Sequence, residues 1–403
     1  MHGRDLRLLY LLQGLRAFIY GFGSILLGST LAESGATSLE VGVVFASLLA
    51  GSALASLLLV RHAEELGRRR VYLLLYLLMG VAGTVFAFTD NVLWLAIAGL
   101  TGTVSVEVVE SGPFTSVEQA MIPEVATERT THAFGVYNAV ASLVGAAGAL
   151  AARYPASLHP SGSVTAEDQI WFLVYPVVAL IAVPFVSMLS NAVETSHPVE
   201  RGARSLRESR GVVFRLSGLF ALDSFAGGFI VQSYIVFWFS RKFGASTELM
   251  SAVLAATGLI QAVSFMIATR LAKRVGLLNT MVFTHLPSNI MLMALPFAPT
   301  LTVAWIVFLI RFPLSQMDVP TRQGYLAALT PPQERSAAAG VTNASRTAAR
   351  PFGALAGGLV TGPATAVTGL PFIIAGGLKA VYDIWLYVWF RRVPIDDPSR
   401  PRE

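Results

Sequence analysis

A chain of 403 residues that is 54% hydrophobic and only 13% charged, with a mean hydropathy of +0.63, lacks the polar surface to cover a water-soluble body of its size, because soluble domains carry about 25% charged residues. It contains no cysteine, which excludes a disulfide framework and a thiolate metal site. The formal charge of +5 and the pI near 9.6 follow from where the basic residues sit and do not call for nucleic acid.

In chain order, the first apolar stretch is centred near residue 20, contains Arg16 and lacks a small-residue cleavage site. It reads as a retained helix and not as a signal peptide. The runs 41–60 and 71–89 are free of Asp, Glu, Lys and Arg, and each is near the roughly 20 residues that cross about 30 Å of hydrocarbon. A fourth helix, centred near 102, runs into Glu107 and Glu110, and a fifth is centred near 142. The sixth is the charge-free run 170–191. A polar stretch with Arg201, Arg204, Arg207 and Arg210 follows it. The seventh, near 226, holds Asp223, and the eighth covers 249–269. The charge-free run 275–310 is too long for one crossing, and Pro296-Phe297-Ala298-Pro299 predicts a turn between the ninth and tenth. The tenth continues through Arg311 towards Asp318, the eleventh holds Arg346 and Arg350, and the twelfth holds Lys379 and Asp383.

The expected fold is therefore an all-α membrane protein of twelve transmembrane helices in two six-helix bundles. The bundles are expected over residues 1–190 and 212–392, with a cytoplasmic linker at 191–211 and a cytoplasmic tail at 393–403. A shift of 205 positions lays Gly135–Leu150 over Gly340–Leu355 with seven of sixteen positions identical, and a shift of 209 lays Ala63–Gly67 over Ala272–Gly276. Two alignments at equivalent places indicate a duplicated, pseudo-symmetric unit, the kind that lets one half rock against the other. Of the 29 Lys and Arg, six fall inside helices, three on the odd side of the ladder and twenty on the other. That bias predicts both termini in the cytoplasm of a cell whose inner membrane holds the chain.

With these features the chain resembles the major facilitator superfamily over essentially its whole length. The loop after the second helix carries the matching acidic, glycine and basic residues Glu64, Gly67, Arg68 and Arg69, with Val60 and Glu65 departing from the family pattern. Asp318–Gln323, Glu334, Arg335 and Gly340–Asn343 are similar to prokaryotic drug or metabolite exporters of that family, while the Gly-Pro pair of antiporters is absent around Gly145 and Gly148. The resemblance implies a cytoplasmic gate at Glu64, Gly67, Arg68 and Arg69. It also implies a central cavity lined by helices one, four, seven and ten.

An ionisable group near the bilayer centre costs at least about 2.5–3.5 kcal/mol on insertion scales, so each needs a reason. Arg16, Glu107, Glu110, Asp223, Arg311 and Asp318 lie on helices one, four, seven and ten, and they are the candidate substrate and coupling residues. The spacing puts Glu107, Glu110, Phe114 and Glu118 on one helical face, and Arg311, Ser315, Asp318 and Arg322 on another. A carboxylate held partly dry can exchange a proton near neutral pH. Glu107 and Asp223 are the expected proton carriers, with Arg16 and Arg311 pairing with them or with an anionic substrate. Arg346 and Arg350 are candidate anion contacts, or else neutralise acids on a neighbouring helix. Lys379 and Asp383, four apart, read as a structural ion pair, and His285 as a packing or hydrogen-bonding group. Gly145, Gly148, Gly353, Gly357 and Gly358 read as close-packing positions. Tyr20, Gln232, Tyr234, Phe237 and Trp238 have the composition of a mixed aromatic and polar pocket, although Phe237 and Trp238 fit an interfacial belt better.

The expected activity is secondary transport of a small organic solute by alternating access, proton-coupled and directed outward, by a monomer without cofactor or metal. A sodium-coupled or uncoupled importer and a transporter-like receptor or scaffold are the rivals. Enzyme chemistry is not expected, because HExxH and GxSxG motifs are absent along with cysteine.

Overall fold

The computed structural model describes residues 2–107, 112–126, 130–194, 206–331, 334–361 and 369–393. Among these the regular secondary structure is all helix, with no strand. The helices are α1 (His2–Glu33), α2 (Ser38–Leu66), α3 (Arg68–Phe88), α4 (Val92–Gly99), α5 (Pro113–Ala126), α6 (Thr130–Ala151), α7 (Arg153–Ser157), α8 (Val174–Ser187), α9 (Arg210–Gly228), α10 (Gln232–Phe243), α11 (Thr247–Val275), α12 (Leu277–Ala294), α13 (Leu301–Gln316), α14 (Asp318–Leu329), α15 (Arg335–Val360) and α16 (Leu370–Phe390). Eleven of the twelve expected centres fall inside these helices, and nine described helical stretches are long and apolar enough to cross a bilayer.

Local chemistry sets the boundaries. Thr37 and Glu40 cap each other at the start of α2: the Thr37 hydroxyl accepts from Glu40 N at 3.2 Å, and the Glu40 carboxylate accepts from Thr37 N at 2.7 Å. Asn91 caps α4 and Thr300 caps α13. The Pro296–Pro299 turn lies between α12 and α13, as expected.

Contacts divide the chain into two compact units. The first holds the described residues up to 194 together with 231–259, and the second holds 206–230, the described part of 260–361, and 369–393. In the first, α1 packs along α6 and against α8, α10 and α5, while α3 packs on α8. In the second, α9 packs along α15 and α12 packs on α16, α13 and α14. Large apolar side chains such as Leu58, Val81, Leu93, Leu180, Phe283, Phe297 and Trp389 are exposed. An aqueous protein would not tolerate so many, and a bilayer accepts them.

Because lipid tails are as apolar as leucine, helices in a bilayer associate through close packing and not through water exclusion. The two units use the same device. In α6, a Cβ on Gly148 would overlap the Phe18 backbone, and in α15 a Cβ on Gly353 would overlap the Phe225 backbone. Gly21 on α1 meets the Gly145 carbonyl, and Gly228 on α9 meets the Arg350 carbonyl. Offsets of 205 and 207 residues relate these contacts, in line with the sequence repeat. The joints before α3 and α12 repeat as well: Gly67 has φ +84° and Gly276 φ +89°, a region other residues rarely enter.

Three of the expected crossings are discontinuous. The fourth comprises α4 and α5, with the described residues 100–107 non-helical between them. The seventh breaks after Gly228 and resumes at Gln232. The tenth breaks at Met317, where Pro320 cannot donate to the Gln316 carbonyl four residues earlier.

Candidate functional site

Each unit buries its own network of charged side chains. In the first unit, Arg16 of α1 makes a forked contact with Glu118 of α5, Nη1–Oε1 and Nη2–Oε2 both at 2.6 Å. Tyr137 of α6 donates to Glu118 Oε2 at 2.5 Å, Tyr72 of α3 donates to Oε1, and Gln13 accepts from Arg16. The Phe114 ring covers the guanidinium at 4.9 Å. Both charges are sealed, with side-chain exposures of 3% and 0%. Glu118 thus accepts from four groups and has no lone pair left for a passing solute.

The break in the fourth crossing lies in the same unit. Its carbonyls would be orphaned in lipid, but they find donors: Tyr20 Oη to Thr103 O at 2.9 Å, and Ser233 N and Oγ to Val106 O at 3.3 and 3.2 Å. The Ser105 hydroxyl accepts from Glu107 N and donates to Glu107 O. Irregular backbone at membrane depth is tolerated where protein surrounds it, and residues 103–106 are fully buried.

In the second unit, Asp223 of α9 accepts from Lys379 Nζ of α16 at 2.6 Å and from Arg322 Nη1 of α14 at 3.5 Å. Arg322 also donates to Asp318 at 2.8 Å. Beside them, Asp383 of α16 accepts from His285 and Asn289 of α12 at 2.9 and 2.8 Å. Arg346 of α15 lies in the field of Arg322, Asp223, Asp318 and Arg350. Its Nε is buried without a hydrogen-bond partner among the described residues. Arg311 of α13 is 6% exposed, yet no carboxylate reaches it among the described residues and its Nε is unpartnered. The Arg311 backbone carbonyl accepts from the Ser288 hydroxyl at 3.1 Å, while its guanidinium faces the Phe308 ring at 5.9 Å.

These positions correct several expectations. Glu107 does not share a helical face with Phe114 and Glu118, because the helix has stopped at Gly99 and restarts at Pro113. Glu110 lies outside the described residues. Arg16 pairs with Glu118 and not with Glu107, and Asp223 pairs with Lys379 and Arg322 and not with Arg311. Lys379 and Asp383 do not pair with each other: each reaches across to another helix. Phe237 and Trp238 are not belt residues, since both are fully buried. Asp223 and Asp318 are brought together through Arg322, on the face that joins Asp318 to Arg322.

Of the residues expected to form a gate, Gly67 makes the turn described above, and Glu194 accepts from Arg68 N and Arg69 N at 2.8 and 3.2 Å. The Arg68 guanidinium donates to Ala120 O, Val193 O and Glu124, and the Arg69 guanidinium to Asn191 and Ser187 O. The Glu64 side chain lies outside the described residues.

Glu118, Arg322, Lys379, His285 and Asp383 were not among the expected site residues. A signal for two of them is present in the sequence. Arg16 and Asp223 are 207 positions apart and Glu118 and Arg322 are 204 apart, close to the repeat shift and with the charges exchanged.

Comparisons with known proteins agree with this architecture. The profile described as Major Facilitator Superfamily matches residues 9–317. The uncharacterized membrane protein YJR124C of Saccharomyces cerevisiae is 26% identical over 423 residues, covering 96% of this chain and 94% of the yeast protein. Similar solved structures include a mutant of the nucleoside transporter NupG (TM-score 0.74, 14% identity, 96% of this chain and 100% of that one). A bacterial homologue of the human lysosomal transporter Spinster has the same TM-score and identity and covers 96% of each chain. The xylose transporter XylE from E. coli aligns with a TM-score of 0.72 and 15% identity over 98% and 97%.

Proposed function

The chain belongs to the major facilitator superfamily, and on that premise we propose that it is a secondary transporter. It moves a small organic solute across the membrane by alternating access, coupled to protons, with efflux the favoured direction. It acts as a monomer in the inner membrane with both termini in the cytoplasm, a topology supported by the twenty-to-three distribution of loop Lys and Arg.

The observation that carries the reading is that crossings four, seven and ten are discontinuous and that seven and ten carry buried ions on the helices adjoining their breaks: Asp223 on α9, and Asp318 and Arg322 on α14. Broken helices with buried charge mark the binding region of secondary transporters. Asp223 is the coupling residue in this scheme. Its carboxylate holds Lys379 at 2.6 Å, so taking up a proton neutralises it and frees the ammonium. Loss of the proton restores the contact. Glu107, in the irregular part of crossing four, is the second candidate for a proton, and Arg68 and Arg69 tether the cytoplasmic end of α3 while the gate changes state.

The test is solute flux in vesicles containing the purified chain. A proton gradient should drive flux, and collapsing the gradient or introducing Asp223→Asn should abolish it, with Glu107→Gln lowering it. Flux that ignores the gradient and survives Asp223→Asn would remove the coupling scheme.

A further inference from the structure

Arg311 stands apart from the buried ions of the two networks and from the other buried arginines in the described residues. Arg16 has Glu118, Arg322 has Asp318 and Asp223, and Asp383 has His285. Arg311 is 94% buried, and among the described residues no carboxylate reaches it and its Nε lacks a hydrogen-bond partner. Its guanidinium faces one ring at 5.9 Å. The next acid in the sequence is Asp318, seven residues on and beyond the break at Met317, and that carboxylate is engaged by Arg322 at 2.8 Å. A guanidinium cannot escape by losing its proton. A buried cation without a counter-charge is a costly feature, and it persists where something outside the chain completes it.

Resting on the transporter reading, we propose that the completing group is an acid on the cargo, so that the solute is a small organic anion whose carboxylate or phosphate is held by Arg311. The guanidinium fork matches both groups in two-point geometry. The ring of Phe308 beside it and the buried Trp305 one turn earlier on α13 give the same stretch an apolar side, so an amphipathic anion suits it better than a fully hydrated one. Arg346, whose charge is met in part by Asp223 and Asp318, is a weaker counterpart of the same kind.

The test uses the full chain, purified in a neutral detergent, with four probes that share one ring: benzoate, phenyl phosphate, benzyl alcohol and benzylamine. Benzoate or phenyl phosphate should raise the Tm of the wild type by a few degrees, and the alcohol and amine should not. Arg311→Met should lose that gain, Arg311→Lys should keep part of it, and ligand-free Arg311→Met should melt at or above the wild type because the lone charge is gone. The proposal is overturned if neither anion raises the Tm, if the gain survives in Arg311→Met, or if ligand-free Arg311→Met melts several degrees lower. Vesicles of phosphatidylcholine with and without phosphatidylglycerol separate cargo from lipid: stabilisation by the charged lipid that soluble anions fail to displace would assign Arg311 to a headgroup and end the cargo proposal. Flux of a neutral solute unaffected by Arg311→Met would likewise reject it while leaving transport intact. Absence of any flux in the wild type would instead reject transport, with the Tm arms still reporting on the anion.

Discussion

Replacing Glu118 by Gln should damage the protein far more than its conserved shape suggests. The Glu118 side chain is fully enclosed and accepts from both arms of Arg16 at 2.6 Å, from Tyr137 at 2.5 Å and from Tyr72. Glutamine keeps the volume but offers one acceptor oxygen, and it turns an amide N–H towards the guanidinium. Arg16, 2% exposed, remains charged with no other carboxylate in the network. Charged hydrogen bonds contribute about 1.5–3 kcal/mol each, but four that share two oxygens do not add. The measured cost of breaking a buried pair from one side, about 3–5 kcal/mol, is the better guide. At roughly 2 °C per kcal/mol, the low end for large domains, Glu118→Gln should lower the Tm of the detergent-purified chain by about 6–10 °C. Arg16→Met should cost a similar amount, and the double variant should melt above either single one, because it leaves no buried charge unpaired. Single variants that each lose less than about 1 kcal/mol, the value of a solvated pair, would refute the reasoning. So would a double variant whose losses simply add.

Close packing makes a second prediction: Gly148→Ala and Gly353→Ala should each cost at least about 1–3 kcal/mol by overpacking backbone against backbone, whereas Gly135→Ala and Gly340→Ala, whose new Cβ meets nothing within 4 Å, should be neutral or gain up to about 1 kcal/mol of helix propensity. Unfolding midpoints of the four variants decide it. The third concerns Glu334, which lies between the membrane-spanning segments. The Ser209 hydroxyl, and then the backbone N–H groups of Glu208 and Arg207, hold its carboxyl down from about 4.5 to about 2. A lowered value in the folded state means the folded form binds fewer protons. Its contribution is therefore complete above pH about 4.5 and lost as pH falls towards about 2. Acid titration of stability should show that loss in the wild type and not in Glu334→Gln, and equal acid sensitivity in both would reject the assignment.

Much of the helical layout was legible because a membrane span announces itself by length and by missing charge, as at 41–60 and 249–269. The break in crossing four was not legible. Helical periodicity assumes the helix continues, and nothing in Glu107, Glu110, Phe114 and Glu118 shows that residues 103–106 give their carbonyls to Tyr20 and Ser233. Ion pairing failed for a related reason. Lys379 and Asp383 are four apart and could pair on their own helix, but partners on α9 and α12 lie closer in space, and sequence spacing carries no information about a helix more than ninety residues away. What the sequence does hold is charge exchange at the repeat shift. A search for identical residues passes over it, because Arg16 against Asp223 and Glu118 against Arg322 count as mismatches.

That exchange also separates the tasks of the two units. The same pair of backbone positions holds one ion pair in each unit, but the surroundings differ in how completely they satisfy it. In the first unit two phenols and a glutamine finish the Arg16–Glu118 pair, so each charge has one stable arrangement. In the second, Arg322 is divided between Asp318 and Asp223, Asp223 is divided between Arg322 and Lys379, and no acid reaches Arg311 among the described residues. A network with shared partners has several arrangements of similar energy, and a proton or an added anion shifts the balance among them by supplying or removing one charge. A network with a saturated carboxylate has no such freedom. On the transport scheme proposed above, the groups that respond to a proton or an anion are therefore those of the second unit, and the Arg16–Glu118 network is the fixed one. Single substitutions in the two networks should accordingly separate: Glu118 and Arg16 variants through stability, Asp223 and Arg311 variants through the dependence on protons and on anions.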